Sequence, residues 1–313
     1  MSEIDLIVTY LDSSDQNWKD QYKYWEQNEL DHNINFKSNR QAFGEERFRN
    51  WGDAFKYWFR GVDKNMPWIR YIHLICFDEN HVPKWLDKNN PKLRIHYHKD
   101  FIPEEYLPTF SALTIEMFLY NIEDLSEVFI MSNDDFYILN KVNEDLFIKN
   151  NKPQAGYRLK KRDLFLNTHR DMWDNILNNS IKFYDRNISK TDLMYDYEHI
   201  FYINLKSIGK ELLNYSDLIK ANTLSRFRSN SSIYTGWLVY VRAINKKLLE
   251  YNSNTYKQYG YAQIKSKTNF NGYSAKNIVC FNDTECCDNY EVTKNNMLNF
   301  LDKMLPNKCS FEV

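Results

Sequence analysis

The 313-residue chain has little glycine (8) and little proline (7), too few for a collagen-like, linker-rich or disordered architecture. It has no excess of either charge: 41 basic residues stand against 42 acidic ones, a formal net charge of −1, so no nucleic-acid partner is expected. Its five cysteines, Cys76, Cys280, Cys286, Cys287 and Cys309, contain no CxxC pair. That excludes a zinc ribbon or a disulfide framework and fits a reducing cytosol, with Cys286-Cys287 read as structural. No apolar run reaches the length needed to span a bilayer, and Met1-Ser2-Glu3-Ile4-Asp5 lacks the basic and apolar regions of a secretory signal. A cytoplasmic protein is expected, with docking at the inner face of the membrane left open.

What the chain has in quantity is aromatic surface, at 16% of residues with 23 Tyr and 8 Trp. Such side chains build cores and also stack on sugars. The length suffices for one large core, and 1–313 is read as a single catalytic unit. A β-branched run over 4–10 closes in Leu11-Asp12-Ser13-Ser14-Asp15, a buried strand followed by a polar loop. Helical patterns follow over 18–28 and 45–62, with a polar loop over 31–40 between them. In the second helix Phe48, Trp51, Phe55, Trp58 and Phe59 recur at spacings of three and four.

Strands are expected over 71–77, 93–97 and 128–131, and a helix over 111–120. Strands alternating with helices imply right-handed crossovers and a mainly parallel, Rossmann-like sheet flanked by helices, an α/β fold suited to nucleotide binding. The second half, 151–313, is expected to be mostly helical, with helices over 192–215 and 238–251 and a returning strand over 273–281.

Chemistry concentrates in a few places. An apolar strand followed by Asn133-Asp134-Asp135 suits a divalent cation, because hard carboxylate oxygens at a strand's carboxyl end can bridge metal and diphosphate; a polar turn reads the same way. Asn282-Asp283 after the run 278–281 repeats the pattern. His199, flanked by Glu198, is a proton-transfer candidate or a surface histidine. Ser225-Arg226-Phe227-Arg228-Ser229 offers two guanidiniums on one side of an extended segment, for phosphate or simply for solvent. Arg47 and Arg49 pose the same alternative.

Several ordered blocks then resemble the Stealth family of polysaccharide phosphotransferases, relatives of the catalytic core of N-acetylglucosamine-1-phosphotransferase. The first block is Ile4-Asp5-Leu6-Ile7-Val8-Thr9-Tyr10-Leu11-Asp12-Ser13-Ser14-Asp15, with Tyr10 for the family's Trp and Ser13 for its Gly. The second runs through Arg47-Phe48-Arg49, Gly52-Asp53, Pro67-Trp68-Ile69-Arg70, Pro83-Lys84-Trp85-Leu86, Leu107-Pro108-Thr109-Phe110-Ser111, Ile115-Glu116 and Asn133-Asp134-Asp135. His199 and Arg228 match a third block, without its proline, and Cys280-Phe281-Asn282-Asp283 a fourth.

The resemblance implies a UDP-sugar donor, from which hexose 1-phosphate passes to a hydroxyl of an oligosaccharide or lipid-linked glycan, leaving UMP. The half 1–150 would bind the nucleotide-sugar. Asp135 and Asp283 would hold Mg²⁺ or Mn²⁺, Arg228 the transferring phosphate, and His199 a base or phosphate contact, with Glu116 a further catalytic candidate. Asp12, Asp15, Arg47, Arg49, Asn133 and Arg226 would contact substrate. A conventional glycosyltransferase that releases UDP, or a noncatalytic glycan-binding protein, are the rival expectations.

Overall fold

The computed structural model of the chain describes residues 3–32, 48–161, 171–190, 193–196, 201–284 and 287–313. Arg47, His199, Cys286 and most of the expected loop over 31–40 lie outside them.

The strands, in chain order, are β1 (Asp5–Thr9), β2 (Ile72–Cys76), β3 (Leu93–Tyr97), β4 (Val128–Asn133), β5 (Phe136–Ile138), β6 (Ile148–Lys149) and β7 (Lys152–Ala155). They continue with β8 (Arg158–Lys161), β9 (Leu193–Asp196), β10 (Tyr202–Leu205), β11 (Glu250–Tyr251), β12 (Tyr259–Gln263) and β13 (Ile278–Asn282). The main sheet has the order β10-β4-β1-β2-β3. Its strands β4, β1, β2 and β3 are mutually parallel, and β10 closes one edge antiparallel to β4. Central β1 is apolar and buried along 6–8 because helices and neighbouring strands cover it, as parallel sheets require. This is the mainly parallel, helix-flanked α/β sheet expected from the sequence. A second sheet, β12-β13-β5, joins the two halves of the chain, since β13 pairs antiparallel with β5.

The aromatic helix begins later than its periodicity suggests. It spans Ala54–Asn65, because Gly52 takes a left-handed φ of 63° that breaks the preceding turn. Phe55, Trp58, Phe59 and Val62 face the core, and Trp58 Nε1 donates to Ser132 Oγ (3.0 Å) beneath β4. The expected helix over 192–215 is overturned: β9 and β10 occupy its first part, and among the described residues of that range only Lys206–Leu212 is helical. Antiparallel pairing of β10 with β4 buries Ile203 and Leu205, and the aromatic and β-branched residues Phe201, Tyr202 and Ile203 suit a strand rather than a helix. The helix expected over 238–251 is Thr235–Asn245; Lys247 at φ 59° ends it before β11. The returning strand is β13 alone. Among the described residues no helix is long and apolar enough to cross a membrane.

Two packing features carry expected outcomes. A Cβ on Gly209 would lie 2.0 Å from the Tyr120 ring, whose hydroxyl donates to Asn204 Oδ1 (2.9 Å). Gly209→Ala should lower stability by roughly 1–3 kcal/mol, read from urea midpoints. The Asp5 side chain is fully buried and accepts from Arg70 Nε (2.7 Å), Arg70 Nη2 (2.6 Å), His73 Nε2 (3.1 Å) and the Ser126 amide (2.7 Å). Burial opposes its charge, but these donors outweigh burial and hold the carboxyl well below its ordinary range. Asp5→Asn removes the buried charge that Arg70 and His73 share, leaving Arg70 only Glu3 (2.9 Å) as an acidic partner, and should cost roughly 3–5 kcal/mol at pH 7. A depressed carboxyl stabilises above its unfolded value of 3.8 and loses that contribution as pH falls further. The gap between wild type and variant should therefore shrink below pH 4.

Candidate active site

A cavity of about 910 Å³ opens where the carboxyl ends of β1 and β4 meet, the place where open α/β sheets collect ligands. Asp12, Arg49, Glu116, Asn133, Asp134, Asp135, Arg228 and Asp283 all line it. Residues separated by up to 271 positions are thus brought to one place.

The loop after β1 is fixed from within. Asp12 Oδ1 accepts from the Ser14 amide (2.9 Å) and hydroxyl (2.6 Å), an Asx turn, while the Asp12 amide donates to His81 Nδ1 (3.0 Å). His81 is buried, and burial lowers its pKa, so the ring stays neutral and keeps the acceptor that Asp12 needs. Asp15, in contrast, does not line the cavity: its Oδ1 accepts from the Trp18 amide (2.6 Å) and caps helix Gln16–His32.

Asp134 and Asp135 form the turn between β4 and β5. The Phe281 amide donates to the Asp135 carbonyl (3.0 Å), and the Cys280 thiol donates to Asp135 Oδ2 (3.3 Å). Pairing of β13 with β5 thereby carries Asp283, one residue past the strand, to the same cavity. Arg49 Nη1 binds Asp283 Oδ1 at 2.9 Å; Asp283 Oδ2 is buried and has no hydrogen-bond partner among the described residues. Burial raises Asp283 to about 6 against the pull of Arg49. Asp134 is raised to about 7, by burial and then by the charge of Asp135.

These residues fit a divalent cation. The donors are hard carboxylate oxygens, one buried oxygen of Asp283 is open to a ligand, and two adjacent acids share one turn whose repulsion a cation would relieve.

The cavity is also lined by Glu116, on helix Ala112–Phe118, and by Arg228, and each feels the other's charge. Ser111 caps that helix, its Oγ accepting from the Thr114 amide (3.4 Å). Both groups keep some exposure to the cavity although protein surrounds them. Burial raises Glu116 to about 7 while Arg228 pulls it down; burial lowers Arg228 while Glu116 raises it. Glu116 Oε2 and Arg228 Nε are buried with no hydrogen-bond partner among the described residues. Unmet polar atoms of opposite charge in one cavity are groups left for a ligand.

The expected pairing of Arg226 with Arg228 on one side of the segment is corrected. Phe227 between them is buried against Tyr22 and Phe110, and the Phe110 amide pins the Arg226 carbonyl (2.7 Å). Arg226 consequently turns away from the cavity, donating to the Glu105 carbonyl (3.1 Å) and lying over Trp25 at 4.9 Å. The sequence reading also missed Trp173, Tyr202, Tyr234 and Tyr261, which give the cavity an aromatic wall. One signal was available: Asp171 with Asp174 three residues on marks a helix start, and its side chain accepts from the Asp174 amide (2.9 Å). Nothing in the sequence marks the other three.

The galactosyltransferase LgtC, solved with donor and acceptor sugar analogues, has a TM-score of 0.45 at 10% identity, covering 96% of each chain. The model described as Stealth protein CR2, conserved region 2, matches residues 47–155. The capsular polysaccharide phosphotransferase cps1A of Actinobacillus pleuropneumoniae is 36% identical over 151 residues, covering 48% of this chain and 39% of that protein. The capsular polysaccharide phosphotransferase WcwK of Streptococcus pneumoniae is 32% identical over 352 residues, covering 100% of this chain and 98% of that protein. With a relative so similar along its whole length, the chain belongs to the Stealth family of phosphotransferases.

Proposed function

We propose that the chain transfers hexose 1-phosphate, or N-acetylhexosamine 1-phosphate, from a UDP-sugar to a hydroxyl of a growing capsular polysaccharide, forming a phosphodiester and releasing UMP. The observation that carries this reading is the convergence of Asp135, Asp283, Glu116 and Arg228 on one cavity. Attack at the donor's β-phosphorus needs charge neutralised on nonbridging oxygens and an in-line hydroxyl, so positioning and electrostatics dominate.

In this account Asp135 and Asp283 hold Mg²⁺ or Mn²⁺, which when bound supplies positive charge to the diphosphate. Arg49 orients Asp283 through Oδ1 and leaves Oδ2 for the ion. Arg228 holds the transferring phosphate. Glu116, near neutrality, takes the proton of the acceptor hydroxyl or orients the attacking oxygen, and His199 contributes a base or phosphate contact. Asp12 and Asn133 face the donor. Chain 1–313 works as one catalytic unit, since acids from 1–150 and Arg228 and Asp283 from 151–313 line the same cavity. The reaction is placed in the cytoplasm, at the inner face of the membrane when the acceptor is lipid-linked.

Protons compete with the cation. Asp134 at about 7 and Asp283 at about 6 are raised, so they are protonated below those values and ionised above them. Metal affinity measured calorimetrically should rise with pH between 5 and about 7 and then level off. An affinity that is flat over this range would remove Asp283 from the ligand set.

The test of function is turnover. Purified protein, a panel of UDP-sugars, Mg²⁺ or Mn²⁺ and oligosaccharide acceptors should give products heavier than the acceptor by a hexose plus a phosphate. A gain of the sugar alone would mean conventional glycosyl transfer, and no product with any donor would leave only glycan binding.

A further inference from the structure

We propose that His73, His96 and Asp124 form a second metal site, for a zinc-class dication, on the β2–β3 side of the main sheet, with none of the three lining the cavity. It does not depend on the reading of function above.

The two histidines stand on neighbouring parallel strands, β2 and β3, on one face of the sheet. His73 Nδ1 and His96 Nε2 are 2.9 Å apart, and Asp124 Oδ1 lies 3.9 Å from His96 Nε2. One ligand atom from each residue falls within 4.8 Å of both others. Donors in a tetrahedral zinc shell, at metal–nitrogen distances of about 2.0–2.1 Å, sit roughly 3.3 Å from one another. The two histidine nitrogens must open by about half an ångström, and Asp124 Oδ1 must close on His96 by about as much and on His73 by no more than about 1.5 Å, to make the shell.

The orientation of His73 is already that of a ligand. Asp5 is held ionised by Arg70 and lies 3.1 Å from His73 Nε2, so that nitrogen carries the proton. The lone pair is then on Nδ1, aimed at His96. A carboxylate fixing the far nitrogen of a histidine is the usual support of a metal-bound imidazole. Arg94 is the competing cation: its Nε is 3.5 Å from Asp124 Oδ2. Its guanidinium is otherwise occupied by the Pro91 and Leu93 carbonyls and the Tyr71 ring, and it leaves Asp124 Oδ1 facing His96.

Two imidazole nitrogens and one carboxylate favour Zn²⁺, Co²⁺ or Ni²⁺ over Mg²⁺. Asp124 is half-exposed, which leaves the fourth position to water. Asp5, beside His73, is four residue steps of β1, about 13 Å, from Thr9 at the cavity, while His96 is in register with Thr9 and separated from it by β2. The ion would tie β2, β3 and the segment before β4 together and raise thermal stability without touching substrate.

The experiment uses the full chain without an affinity tag. After dialysis against Zn²⁺, wild type and the Asp135→Asn/Asp283→Asn double variant should each retain one tightly bound equivalent, with Co²⁺ in its place giving the visible absorption of a four-coordinate ion. Asp124→Asn and His96→Gln should weaken Zn²⁺ binding at least tenfold and abolish that absorption. Thermal midpoints in chelator report whether each variant folds; Asp124 is half-exposed, and its variant decides if His96→Gln does not fold. Wild type that retains no Zn²⁺, or Asp124→Asn that binds as tightly as wild type, would overturn the site.

Discussion

Asp135→Asn is expected to reduce sugar-phosphate transfer by ~10³-fold or more while leaving the protein folded, the scale on which loss of metal-borne charge stabilisation acts. The substitution keeps the side chain's volume and one oxygen, and the Asp135 backbone carbonyl still receives the Phe281 amide, so the β4–β5 turn and its tie to β13 persist. What disappears is a formal charge among Asp134, Asp135 and Asp283. With that charge gone, Asp134 loses the neighbour that helps raise it, and its pKa should fall from about 7. Transfer rates at saturating metal and donor, beside a thermal midpoint, separate the two effects. Full turnover would remove Asp135 from the metal.

Arg228→Ala should be as severe, with a loss in the range of ~10³–10⁵ that arginines contacting a transferring phosphoryl group supply. Arg228→Lys should recover only part, since a point charge does not replace a planar fork whose Nε has no hydrogen-bond partner among the described residues. Donor affinity by calorimetry should change less than turnover if Arg228 acts mainly on the transition state. The variant carries a second signature. Arg228 lowers the Glu116 pKa against burial, so its removal should push Glu116 above about 7 and move the acid limb of the rate profile to higher pH. A profile unmoved in Arg228→Lys and shifted up in Arg228→Ala is the expected pattern.

The sheet was largely legible because buried parallel strands leave continuous apolar runs: the runs around β1, β2 and β4 stand out, and the expected strand over 93–97 coincides with β3. β10 was not legible. Its short run Phe201-Tyr202-Ile203-Asn204-Leu205 suits a strand, but its place at the sheet edge depends on pairing with β4, a contact that crosses some 70 residues of sequence. The same holds for the candidate site. Asn133-Asp134-Asp135 and Asn282-Asp283 are visible as acids after strands, but their meeting depends on the antiparallel register of β13 on β5. Arg226 and Arg228 look equivalent in sequence. Burial of Phe227 and the stacking of Arg226 on Trp25 separate them. His81 carries no motif at all, yet its Nδ1 holds the Asp12 loop.

The most direct test follows the donor's β-phosphorus. A UDP-sugar labelled with ³²P at that atom, incubated with the protein, Mg²⁺ or Mn²⁺ and an oligosaccharide acceptor, should place the label in the glycan product, with unlabelled UMP as the nucleotide released. Label recovered as UDP, with an unlabelled glycan, would contradict phosphotransfer and make the reaction glycosyl transfer.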